Sequence, residues 1–61
     1  MKCWIKKSNS DAYFEKHIGV EMCPNKWTYK QDAKLFDNVA EARATIKVYK
    51  LRNCEVEKCT K

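Results

Sequence analysis

The chain has 61 residues, 13 of them Lys or Arg and 8 Asp or Glu, for a formal net charge of +5. A chain of this length makes one domain, residues 1–61, and buries only about 60% of its unfolded surface. Its core is too small to wall a substrate cleft as well, which argues against an enzyme and for action through a surface.

The content is 44% hydrophobic and 34% charged, a globular balance rather than a disordered one. Apolar runs stay far below the roughly 20 residues that span a bilayer. The stretch Met1 to Lys7 lacks the apolar core of a secretory leader. The expected compartment is the cytoplasm, where thiols stay reduced, and no membrane partner is expected.

Residues 2–6 predict a short strand, because Cys3, Trp4 and Ile5 favour extended backbone. Ser8-Asn9-Ser10-Asp11 is a polar cluster suited to a hairpin loop. From Ala12, apolar Phe14, Ile18, Val20 and Met22 alternate with Tyr13, Glu15, His17 and Glu21. That alternation predicts a half-buried strand, with Gly19 marking a bulge or break. Cys23-Pro24-Asn25-Lys26 fits a type I turn with proline at its second position. Trp27 and Tyr29, alternating with lysines and Thr28, predict a third strand. Ala33 to Phe36 is either a short fourth strand or the approach to a helix.

The helix carries the clearest signals. Asn38 is a good N-cap, and Glu41 three residues on completes the capping-box pattern. The run Val39 to Leu51 lacks Gly and Pro, and Asn53 offers a left-handed stop. Cys54 to Cys59 predicts a closing strand. The expected fold class is α+β: a small antiparallel sheet of three to four strands with one helix packed on it, in the order β-β-β-(β)-α-β.

At about 100° per residue, Val39, Ala42, Ile46 and Tyr49 share one helix face and should meet the sheet. Ala40, Ala44, Val48 and Leu51 form a second apolar line on the far side. A lone helix buries one stripe, so the second line is expected in solvent, where apolar surface marks interfaces. Arg43, Lys47 and Lys50 form a basic ridge between the two lines. The expected partner-binding residues are therefore Arg43, Ala44, Lys47, Val48, Lys50 and Leu51.

Chemistry-bearing motifs are sparse. Cys3, Cys23, Cys54 and Cys59 form no C-x-x-C pair. Free, mostly buried thiols are the leading reading, with a disulfide and a zinc site as alternatives. His17 is the single histidine and has no partner at a catalytic spacing. No cofactor or metal site and no catalytic residue is expected. Most of the seven aromatics are expected in the core, although Lys26-Trp27-Thr28-Tyr29-Lys30 interleaves cations with rings as base-stacking surfaces do.

Five short elements recur together: Trp4-Ile5-Lys6, Tyr13-Phe14, Asn25-Lys26-Trp27-Thr28, Ala33-Lys34-Leu35-Phe36, and a capped helix with Glu41-Ala42. With the closing Glu55-Val56-Glu57, they resemble short reading frames of bacteriophages and prophages. This chain departs from them in its four cysteines and its longer segment 15–24. The resemblance implies a small phage-encoded protein acting in the host cytoplasm. Its expected role is to bind and inhibit a host protein, such as a bacterial defence component in the manner of an anti-CRISPR. The expected partner is a host protein with an acidic surface, with a homodimer as a further partner. The alternative is a small basic nucleic-acid-binding module.

Overall fold

The computed structural model describes residues 2–59. The elements are β1 (Cys3–Lys7), β2 (Tyr13–His17), β3 (Asn25–Thr28), a one-turn 3-10 segment (Lys30–Asp32), α1 (Val39–Val48) and β4 (Cys54–Lys58). The four strands make one antiparallel sheet in the order β3-β2-β1-β4. The small α+β class and the element order agree with the sequence reading.

β1 and β4 pair along their full lengths, from Cys3 opposite Lys58 to Lys7 opposite Cys54. β1 and β2 pair only at Lys6 and Tyr13. The strands then splay, and residues 34–36 enter the gap. The Lys34 N–H donates to the Phe14 carbonyl (3.1 Å), and Phe36 exchanges two backbone hydrogen bonds with Cys3 (2.7 and 3.0 Å). Ala33 to Phe36 is thus the approach to the helix, stitched to β1 at one bridge.

Side chains alternate across the sheet, so each strand serves two faces. One face carries Cys3, Ile5 and Phe14, which with Phe36, Ala42 and Leu51 make the buried core. Trp27, Val39, Ile46, Cys54 and Val56 pack around it. The opposite face carries Trp4, Lys6, Tyr13 and Glu57 and has no helix over it.

Two boundaries differ from the sequence reading. The period-two run from Ala12 to Met22 is a strand only to His17. A bulge between Phe14 and Lys16 resets the alternation. The chain then folds back on itself: the N–H groups of Ile18 and Gly19 both donate to the Pro24 carbonyl (2.8 and 3.0 Å). Gly19 supplies the left-handed backbone (φ 80°) that this loop needs. The tight turn is Val20–Cys23, closed by Cys23 N–H to Val20 carbonyl (3.1 Å), rather than a turn begun at Cys23. Ile18, Val20 and Met22, expected in the core, are exposed, Met22 at 91%.

The helix also stops earlier than Leu51. The Asn38 side chain accepts the Glu41 N–H (2.8 Å), so the start is as expected. At the other end Lys50 turns left-handed (φ 52°). Leu51 N–H then donates to the Ile46 carbonyl (2.9 Å) and Lys50 N–H to the Lys47 carbonyl (3.3 Å). This is a Schellman stop, which folds the residue after the left-handed one back onto the helix. Asn53 is left-handed too (φ 53°), but it lies in the turn into β4.

Candidate interaction surface

The early stop decides what α1 shows to solvent. Leu51, expected at the outer end of an exposed apolar line, is turned inward and is 8% exposed. It belongs to the core beside Ile46, as the apolar residue following a Schellman stop commonly does. The other five expected contact residues, Arg43, Ala44, Lys47, Val48 and Lys50, are exposed. Val48 is 70% exposed, a large apolar side chain left in water. Tyr49, expected on the face that meets the sheet, does so at β2: although 40% exposed, its ring lies 6.4 Å from that of the core residue Phe14 and extends to the strand's end. There it stacks in parallel on His17, with centroids 4.2 Å apart and 6° between planes.

The charge of the segment 43–52 is of one sign. Arg43, Lys47, Lys50 and Arg52 are all exposed. Among the described residues, none of the four has a carboxylate within 4.0 Å. The three ion pairs among the described residues lie elsewhere, at Lys2–Asp37, Lys26–Glu15 and Lys30–Glu57. No acidic residue occurs between Glu41 and Glu55. Lys47 lies in the last turn of the helix, where the dipole is negative and favours a cation. Arg52 follows the turn at Lys50, beyond the end of the helix, so helical spacing gave no sign of it.

No protein-family model, curated protein or solved structure matches the chain.

The opposite face of the sheet holds a second constellation, which sequence spacing does not reveal. Tyr13 lies edge-on to Trp4, centroids 6.2 Å apart. Its hydroxyl donates to the Glu57 carboxylate (3.1 and 3.2 Å). Lys30 reaches over both rings, with Nζ 4.7 Å from the Trp4 centroid and 5.7 Å from that of Tyr13. The same Nζ is 2.8 Å from Glu57. Its hydrogen bond, with help from the Tyr13 hydroxyl, holds the Glu57 carboxyl below its ordinary range. Burial and the hydrogen bond to Glu57 push the Tyr13 phenol up, and the bond to Glu57 raises Lys30.

Other candidates fall in different places. The His17 ring makes a 2.9 Å hydrogen bond through Nδ1 to Asn25 Oδ1. It lines an open groove of about 340 Å³ with Lys16, Lys34, Thr45 and Tyr49, and no cysteine lines this groove. The four thiols are free. Only Cys3 is fully buried, so the expectation of mostly buried thiols holds for one of four. Cys23 sits exposed on the β2–β3 loop, and Cys54 and Cys59 are half-buried. Burial raises Cys3 and Cys54 above ordinary thiols. The loop that carries Cys23 also displays Ile18, Val20 and Met22, an apolar tip missed because an alternating pattern reads as strand. No helix among the described residues is long and apolar enough to cross a membrane.

Proposed function

We propose that the protein is a non-catalytic binding module that docks the outer flank of α1 on an acidic surface of a host protein and inhibits it. The bacteriophage resemblance supports an anti-defence setting, with a defence component as the target. One observation carries the reading: the exposed Val48 lies in the segment 43–52, whose four cations are all exposed and, among the described residues, have no carboxylate within 4.0 Å. An exposed apolar side chain in a segment of uncompensated charge of one sign suits a contact in which Val48 is desolvated and the cations meet carboxylates. Self-pairing of this flank would set cation against cation, so the occupant is a different chain rather than a second copy. A specific observation favours the β2–β3 loop as a second contact, since its tip keeps three large apolar side chains in water.

The test is affinity capture from nuclease-treated bacterial lysate, with quantitative mass spectrometry. Three baits are compared: the wild-type chain, Arg43→Glu/Lys47→Glu, and Val20→Asp/Met22→Asp. The expected result is a stoichiometric protein whose recovery falls at least tenfold with the helix variant. Loss with the loop variant alone moves docking to the loop. Recovery unaffected by either variant refutes the placement. The nucleic-acid alternative is read separately, by titrating the purified chain with DNA: it expects binding at low salt that fades steeply as salt rises.

A further inference from the structure

The helix-free face of the sheet is built around one ammonium group. The Lys30 Nζ lies within 6 Å of two ring centroids, the range of cation–π attraction, and it is ion-paired with a carboxylate 2.8 Å away. All three walls stand on strands. Trp4 on β1 is paired opposite Glu57 on β4, and Tyr13 on β2 reaches across to the same carboxylate. The cation comes from elsewhere. Lys30 opens a one-turn segment that buries no residue, and its side chain is half in water.

The entrance has the same chemistry. A depression of about 340 Å³ beside Lys30 is lined by Asp11, Tyr13, Tyr29 and Gln31. Tyr29 is 74% exposed, and no cation of the described residues lies within 4.0 Å of Asp11. On a chain of net charge +5, cage and entrance together offer three aromatic rings and two carboxylates, and the cations on this face are Lys30 and, opposite Tyr13, Lys6. We propose that Trp4, Tyr13 and Glu57 form a binding site for an alkylammonium group, which Lys30 occupies in the free protein. The ligand is a lysine side chain or a quaternary ammonium head, entering past Asp11 and Tyr29 as Lys30 swings out. The site is independent of the α1 flank, since it lies on the other side of the sheet.

Lys30→Ala and Lys30→Gln empty the cage, the second keeping most of the stem should the first destabilise the domain. Tetramethylammonium and n-butylammonium are titrated against each variant and the wild type, following Trp4 and Tyr13 ring resonances at fixed ionic strength. The expected result is saturable binding at millimolar ligand, at least tenfold tighter in the Lys30 variants than in the wild type. Trp4→Ala in the Lys30→Gln background should abolish it. The tighter of the two probes assigns the head as quaternary or primary. If neither probe binds the Lys30 variants more tightly than the wild type or the Trp4 variant, Lys30 is only a structural clamp and the proposal is overturned.

Discussion

Leu51→Ala and Val48→Ala separate the observed helix end from the longer helix that periodicity suggests. Leu51 is 8% exposed, so the substitution removes three buried carbons. At about 0.8 kcal/mol each, their transfer comes to about 2.4 kcal/mol, and the cavity left behind raises the cost to about 3–4 kcal/mol. A domain of this length has about 3–9 kcal/mol in total. One kcal/mol moves the midpoint of so small a domain by about 4–8 °C, so Leu51→Ala should lower Tm by at least about 12 °C. Val48 is 70% exposed and loses about 0.5 kcal/mol of burial on truncation, which the better helix propensity of alanine offsets. Its Tm should stay within about 3 °C of wild type. Thermal melts followed by far-ultraviolet circular dichroism, with reductant present, read both variants. A small loss at Leu51, or one at Val48 of equal size, refutes the Schellman stop and the buried position of Leu51.

Three further outcomes follow from the same geometry. The Glu57 carboxyl is held below its unfolded value of 4.5, so its contribution is complete above that value and lost as pH falls through its folded one. Glu57→Gln should therefore flatten the fall of Tm in acid below about pH 4.5, and an unchanged acid profile contradicts the Lys30–Tyr13–Glu57 cluster. In thiol labelling with a disulfide reagent, exposed Cys23 should react first and buried Cys3 only with global unfolding; Cys3 labelling as fast as Cys23 contradicts the core. Asn38→Ala removes the one side-chain acceptor at the start of α1 and should cost about 1 kcal/mol, seen as a Tm lower by about 4–8 °C.

The parts of the fold legible in the sequence are those written in local chemistry. The cap at Asn38, the Gly- and Pro-free run after it and the polar loop at Ser8 to Asp11 all stand where their residue types place them. The loop turns at Asn9, left-handed at φ 59°, a conformation that asparagine tolerates. The stop at Lys50 was illegible because a lysine in the left-handed region leaves no mark, while Asn53 next door carries the usual signal. That displacement turns Leu51 inward. The β2 alternation misled for a related reason: one bulge and one left-handed glycine convert the second half of the run into a loop. Tyr13 and Phe14 are both buried although adjacent, because they serve opposite faces. The cover over Tyr13 is a lysine from a distant segment, and no spacing rule joins Lys30 to Glu57.

The α1 flank is the proposed docking surface. Its most direct test is hydrogen–deuterium exchange of the wild-type chain, alone and saturated with the protein that it captures. Added protection is expected across residues 43–52, with the β2–β3 loop as the only other protected segment. Protection confined to the sheet strands, with residues 43–52 exchanging as in the free protein, would contradict it.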